Sequence, residues 1–332
     1  MNVYFERHGT SNANVINNVL GIESLFWTVL GQSLQSHYAP NASLSMIGVL
    51  QCLETANFIN KLNKTFNIIL VSSLLRTQQT FYLSFLSKLP NTKVLVVDQL
   101  NEKRFHPWFD AHNFEVSRKD TKERFKGFIK KLNGMDWKRY VGKTLKFPER
   151  KWDDLFEDYQ YHGGFWEMIE ELTEEMEGEV NVYCVSSHHR IESLIKEKYP
   201  DVSFLGNQVV NCEIIKVGER VERLWPNQKD KMLVYFEPWR RFLFLPEYMK
   251  QDVKRKQNYP LKKIKKYNWK KVKKYLEFNK KYFKNSLINY DFYLKQNKIR
   301  ETSNQEIINF LFMFGSSETK KIEYEFKEKV NK

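Results

Sequence analysis

The stretch 2–12, NVYFERHGTSN, decides how this chain is read. A short apolar run, Val3-Tyr4-Phe5, leads through Glu6 into Arg7, His8 and Gly9. A cation, an imidazole and a glycine at a strand end fit an ordinary turn. They fit equally well a reactive group mounted where a strand hands over to a helix, the place where open α/β sheets gather their sites. The rest of the sequence has to separate the two readings.

Outward from that stretch, strand-like and helix-like segments alternate. SLSMIGVLQCLETANFINKL (43–62) offers Ser43 or Ser45 as an N-cap, with Ile47, Leu50, Leu53, Ala56 and Ile59 at helical spacing. FNIILVSS (66–73) is a buried-strand pattern, and LLRTQQTFYLSFLSKL (74–89) behind it is helical. KVLVVDQL (93–100) predicts a third strand, VNVYCVSS (180–187) a fourth and VVNCEIIKV (209–217) a fifth, with IESLIKEKY (191–199) as a helix between the last two. Between them, residues from about 105 to 178 are aromatic and charged with helical patches such as FWEMIEELTEEM (165–176), and read as an insertion. Short apolar strands alternating with helices imply an α/β fold: a three-layer sandwich with a mostly parallel central sheet flanked by helices.

Composition places this sheet in the first two thirds of the chain. Of 332 residues 42% are hydrophobic and 15% aromatic, which is globular rather than disordered. The formal charge of +14 is unevenly spread. Residues 229–332 carry 27 Lys+Arg against 12 Asp+Glu, while residues 1–228 sum to −1. This shift divides the chain into an α/β domain at 1–228 and a basic, mainly helical C-terminal extension at 229–332. In the extension Ile264, Val272, Leu276, Phe283, Leu287, Tyr290 and Leu294 approximate an apolar helical stripe with lysines opposite. Such a face is either simply solvated or a surface for nucleic acid, an anionic membrane or another acidic partner. No run approaches the roughly 18 apolar residues of a membrane span, and the N-terminus has no basic-then-apolar leader pattern. Cys52, Cys184 and Cys212 are odd in number, far apart in sequence and form no CxxC, which predicts reduced, buried thiols in a cytoplasmic, reducing compartment.

Three stretches place phosphate-seeking residues just beyond predicted strands: Arg7-His8-Gly9-Thr10-Ser11 with Asn14, Ser72 through Thr80 with Arg76, and Ser186-Ser187-His188-His189. On a parallel sheet these ends open on one edge. A transferring phosphoryl group carries charge on its equatorial oxygens, and catalysis there is mostly positioning and electrostatic clamping. Arginine meets two such oxygens with a planar fork. A neutral imidazole attacks phosphorus and carries it covalently, and nearby arginines favour that neutral form. Gly9 allows close backbone approach to an anion, and the amides opening the next helix can donate to it.

These motifs resemble the histidine phosphatase superfamily, also called phosphoglycerate-mutase-like, in its first, phosphatase-rich branch. Arg7-His8-Gly9-x-Ser11-x-x-Asn14 is similar to the family's first motif and Ser72-x-Leu74-x-Arg76-Thr77-x-Gln79-Thr80 to its second, with Thr77 where alanine is usual. Ser187-His188 is similar to its late histidine motif, Leu44, Gly48 and Gln51 to its helix-opening segment, and VVNCEII to its last core strand, so the resemblance spans about residues 1–217. It implies His8 as nucleophile, Arg7, Arg76 and His188 around the phosphoryl group, Gly9 and Asn14 as further phosphate contacts, and Glu102 as general acid with Asp98 in reserve. Ser11, Arg104 and His189 are candidate substrate contacts. Glu6 stands where an apolar residue is usual and must face away from the phosphate. His189 replaces a glycine and leaves an alternative to His188 at the phosphate. Residue 13 is Ala rather than the Trp of the glycolytic mutases, so phosphatase ranks above mutase.

The expected activity is therefore hydrolysis of a phosphomonoester through phosphohistidine, on a small phosphorylated metabolite or a phosphoprotein. No cofactor and no metal are expected, because arginines and histidines supply the charge clamp. His37, His106, His112 and His162 lack ligand spacing. The competing expectation is a phosphatase-like binding protein of weak turnover, whose basic extension carries the interaction.

Overall fold

Strand β1 (Asn2–Arg7) pairs in parallel with β5 (Asn181–Ser186), and its register sets Arg7 opposite Ser186. The computed structural model describes residues 1–12, 14, 41–102, 117–138, 144–202, 209 and 211–225. Beyond β5 lie β2 (Ile68–Val71), β3 (Val94–Val96) and β4 (Phe156–Asp158), all parallel. On the other side of β1, β6 (Ile214–Val217) pairs antiparallel with β1, and β7 (Val221–Trp225) pairs antiparallel with β6 at the edge. The seven-stranded sheet has the order β4-β3-β2-β5-β1-β6-β7.

Helices follow the strands as the periodicity predicts. These are α1 (Met46–Leu62), α2 (Leu75–Ser84), α3 (Arg118–Asn133), the short α4 (Trp152–Leu155), α5 (Phe165–Thr173) and α6 (His188–Lys198), with a 3-10 turn at Asp98–Leu100. Of the two candidate caps for α1, Ser45 is the one used: its side chain accepts from the Gly48 amide. Asn63 ends that helix at φ 47°, a conformation asparagine tolerates better than most residues. Alternation along β1 sorts side chains onto two faces. Tyr4 joins a cluster with Leu75, Phe81, Phe125, Trp152 and Tyr183. Val3 and Phe5 join Val182, Cys184, Phe165, Met168 and Ile191 on the opposite face. Two apolar layers cover one sheet, so the three-layer α/β expectation holds.

The stretch expected as an insertion, about 105–178, is more integrated than its sequence suggests. Its described part supplies β4 to the central sheet and α5 to the Phe5 layer, where Phe5 and Phe165 rings lie 5.6 Å apart. The expected fifth strand, 209–217, is shorter than predicted. Cys212 adopts φ 58° and residues 211–212 form a turn, so pairing starts at Ile214. Cys52, Cys184 and Cys212 are free thiols and buried, and the Sγ atoms of Cys52 and Cys212 approach to 3.6 Å. Residues 226–332, including the basic extension and its expected anionic partner, lie outside the described residues, as do Ala13, His37, Arg104, His106 and His112. Among the described residues no helix is long and apolar enough to cross a membrane.

One glycine fixes how α1 meets the β1 exit loop. A Cβ on Gly48 would run into the Thr10 carbonyl oxygen and come within 2.9 Å of the Thr10 amide. Alanine is favoured over glycine inside a helix by about 1 kcal/mol, but rigid backbone overlap costs more. Gly48→Ala is therefore expected to destabilise the fold by about 3 kcal/mol, read as a lowered urea midpoint with unchanged slope. An equal or raised midpoint would contradict this packing.

Candidate active site

The parallel strands β1, β2 and β5 end in register, which brings His8, Ser72 and Ser187 to one sheet edge. The backbone secures that edge: the His8 amide donates to Ser186 O at 2.9 Å and the Ser72 amide to Val185 O at 3.1 Å. The helix starts then aim side chains across it. α2 opens with Leu75-Arg76 and α6 with His188-His189, and neither helix has a side-chain cap bond at its N-cap. Two positive helix ends thus face the same edge.

His8 is 3% exposed, and its two ring nitrogens have distinct partners. Nδ1 lies 2.7 Å from the Gly9 carbonyl oxygen, which can only accept, so Nδ1 carries the proton. Nε2 accepts from Arg76 Nε at 3.1 Å and therefore holds the lone pair. Arg76, 1% exposed, also donates through Nη2 to Glu102 Oε2 at 3.2 Å and to Ser187 Oγ at 3.3 Å. Hydrogen bonds hold the fork's surroundings: Gly9 N donates to Thr80 Oγ1 at 3.0 Å, and Thr80 Oγ1 donates to Arg76 O at 2.7 Å. Ser43 Oγ and the Leu44 amide both donate to Gln79 Oε1, and the Thr10 amide donates to Gln51 Oε1.

The structure brings together His8, Arg76, Glu102 and, through Ser187, the start of the helix bearing His188. His188 is 7% exposed, and its Nε2 stands 3.8 Å from Glu192 Oε1, one helical turn on. His189 is exposed, and its ring centroid lies 3.8 Å from that of His188. Arg7, 7% exposed, donates through Nη1 to the Val209 carbonyl at 2.5 Å. Ser11 and Asn14 bond each other: Ser11 Oγ donates to Asn14 Oδ1 at 3.0 Å. Asp98 Oδ1 accepts from Asn101 Nδ2 at 3.0 Å. His162 is exposed in a separate loop. Gly9 has a packing reason for its identity, since a Cβ there would meet Cys52 Sγ and Gly48 O at 2.9 Å.

Positioning residues that the sequence did not single out are Asn101 and Asn211. Asn101 Oδ1 accepts from Ser72 Oγ, Ser73 N and Ser73 Oγ, tying the β2 exit to the residue before Glu102. Asn211 Nδ2 donates to His8 O at 2.8 Å. Single amides bonded to distant chain carry no periodic signal, so only a fold can reveal them.

Glu6 points into the buried Tyr4 layer, where two side chains bond its carboxyl. Ser84 Oγ donates to its Oε1 at 2.7 Å and Tyr183 OH to its Oε2 at 3.0 Å, within the Tyr4 layer. Burial raises its pKa from 4.5 to about 8, against the lowering effect of those two hydrogen bonds. Glu6 is therefore mostly neutral at pH 7 and does not repel an anion at the neighbouring residues. The folded protein holds this proton and the unfolded chain releases it near pH 4.5. The associated stability is fully present below pH 4.5 and is lost as pH rises towards about 8. Within that window the loss approaches about 1.4 kcal/mol per pH unit. Glu6→Gln is expected to flatten this component in urea melts from pH 5 to 8, and an unchanged slope would refute it.

No family model and no curated protein matches the chain. Among solved structures it is similar to a phosphoserine phosphatase from Entamoeba histolytica bound to 3-phosphoglyceric acid, at 18% identity over 65% of this chain and 89% of that one, TM-score 0.35. It is similar to the alpha-ribazole phosphatase of Shigella flexneri at 20% identity, over 68% and 95% of the two chains, TM-score 0.37. A mycobacterial glucosyl-3-phosphoglycerate phosphatase aligns at 13% identity, over 67% and 96%, TM-score 0.36.

Proposed function

We propose that this chain is a phosphomonoesterase of the histidine phosphatase type, working through a phosphohistidine on His8. The observation that supports this most is the Arg76 guanidinium, which reaches His8 Nε2, Glu102 Oε2 and Ser187 Oγ within 3.1 to 3.3 Å. A nucleophilic lone pair, a fixed cation and a carboxyl group meet at one fork, flanked by the N-termini of α2 and α6. In this reading the phosphate dianion takes over the fork from Glu102, and its charge favours the protonated carboxyl. His8 Nε2 attacks phosphorus while the ester P–O bond breaks, and the departing oxygen takes the Glu102 proton. Glu102, now a carboxylate, accepts a proton from water, whose oxygen attacks phosphorus as the P–N bond breaks. Inorganic phosphate leaves and His8 is restored. The charge that builds on the equatorial oxygens is met by Arg76 and His188, with Arg7 and Asn14 completing the phosphate site and Gly9, its amide bonded to Thr80, shaping the loop between them.

The substrate class is a phosphomonoester dianion on a small metabolite or a protein, with Ser11, Arg104 and His189 as candidate substrate contacts. Hydrolysis is favoured over mutase transfer on the first motif. The test is rapid quench with radiolabelled aryl phosphate. An acid-labile, base-stable phosphoprotein should form, and its absence together with absent turnover would leave only a phosphate-binding protein. Glu102→Gln separates the acid from the clamp. It should lower hydrolysis of alkyl phosphates by about 100-fold or more, and of nitrophenyl phosphate far less, because that leaving group needs little protonation. Equal losses on both esters would remove Glu102 from the acid role.

A further inference from the structure

Glu102, His188 and His189 each offer one metal-ligating atom, and these atoms all lie within 4.8 Å of one another. They come from two unrelated segments: Glu102 follows the 3-10 turn after β3, and the histidines open α6. The spacing is close to what one ion requires. A tetrahedral ion about 2.1 Å from each donor sets its ligand atoms roughly 3.4 Å apart. The gap is on the order of an ångström, within reach of side-chain rotation because His189 is exposed and the Glu102 side chain is 13% exposed. One helical turn on, Glu192 Oε1 stands 3.8 Å from His188 Nε2, so a small rotation would let a carboxylate accept the ring N–H opposite the ion.

We infer that Glu102, His188 and His189 form a three-ligand site for a zinc-class divalent cation, and that the ion, when bound, closes the catalytic edge. Two imidazoles and one carboxylate are the donor set of borderline ions such as Zn²⁺, while Mg²⁺ and Ca²⁺ seek oxygen. Binding occupies the Glu102 lone pair needed for proton delivery and turns His188 away from the phosphoryl oxygens. The ion also stands beside Arg76, whose fork lies 3.2 Å from Glu102, so metal and guanidinium compete for one carboxylate. The metal-bound form is thus an inhibited form. That inhibition rests on the phosphatase reading, whereas the binding itself does not.

The test uses full-length protein freed of metal by chelator dialysis and titrated with Zn²⁺ against a chromogenic chelator. One site is expected, weakened about 10-fold or more in both His189→Ala and Glu102→Gln and unchanged in His162→Ala. In parallel, aryl phosphate hydrolysis by the wild type should fall as the site fills and recover with EDTA. The inhibition midpoint of His189→Ala should move to higher Zn²⁺ with its binding curve. Absent binding, or binding equally tight in His189→Ala and Glu102→Gln, overturns the site even if hydrolysis is robust. Binding that follows the variants without any hydrolysis upholds the site and overturns the phosphatase reading instead.

Discussion

His8→Ala is expected to lower phosphomonoester turnover by about 10,000-fold or more and to abolish acid-labile labelling. The size follows from what the ring supplies. Covalent catalysis replaces one difficult displacement with two easier ones, and His8 is the imidazole whose Nε2 meets the Arg76 fork. The Nε2 lone pair is held by two contacts, the Gly9 carbonyl fixing the proton on Nδ1 and Arg76 Nε addressing the opposite nitrogen. Removing the imidazole leaves Arg76 beside Glu102 and Ser187, so inorganic phosphate or vanadate should still bind within a few-fold of wild type. Binding without turnover is the signature of a missing nucleophile rather than a collapsed site. A thermal melt within a few degrees of wild type completes the control. Retained turnover above about 10% would move the nucleophile elsewhere, and retained labelling would require another phosphorylated residue.

The sheet was legible where strands are long and apolar. β1, β2 and β5 announce themselves because both faces are covered and their residues run Val, Ile, Leu, Tyr and Phe almost without interruption. β4 does not: it is Phe156-Glu157-Asp158, with one buried ring and two exposed acids, and only its place against β3 makes it a strand. β7 is half-buried at the sheet edge with Arg223 exposed in its middle, so its sequence VERLW carries too weak an alternation to stand out. Both missed strands are edges, where pairing to one neighbour supplies what the residue pattern lacks.

The site was legible for a different reason. Arg7, His8, Arg76 and His188 are polar residues at the last position of a buried strand, just after it or in the first helical turn beyond, where a merely structural chain would more often place a small turn residue. Their convergence is a consequence of parallel registers such as Arg7 opposite Ser186. What sequence could not reveal is the division of labour within the cluster. Gly9 reads as a door for an anion, yet its amide serves Thr80 and its missing Cβ leaves room for Cys52 and Gly48. Glu6 reads as a charge too close to a phosphate, yet Ser84 and Tyr183 take up its carboxyl within the buried Tyr4 layer and burial neutralises it. Asn101 and Asn211 bond chain segments brought near only by folding.

Arg76→Lys is expected to lower kcat/KM by about 1,000-fold while keeping the charge. At 1% exposure, Arg76 is a buried cation whose planar fork spans three acceptors on three segments. An ammonium is a compact point charge on a different reach and cannot span the same acceptors at once. In the transition state Nη2, which now meets both Glu102 and Ser187, turns to an equatorial oxygen. Loss of one preorganised donor at such a position costs about 100- to 1,000-fold. The Lys variant also leaves His8 Nε2 without its aligned donor, so the loss should fall mainly on kcat. Arg76→Ala should be worse, because Glu102 then loses its ion-pair partner in a nearly dry setting. Guanidinium chloride at millimolar concentration should restore part of the Arg76→Ala activity and none of the His8→Ala activity. A planar donor in solution can refill the first vacancy, but nothing in solution replaces a nucleophile fixed on the strand. Equal rescue of both, or a Lys variant within about tenfold of wild type, would show that the fork does not bind the reacting phosphoryl group.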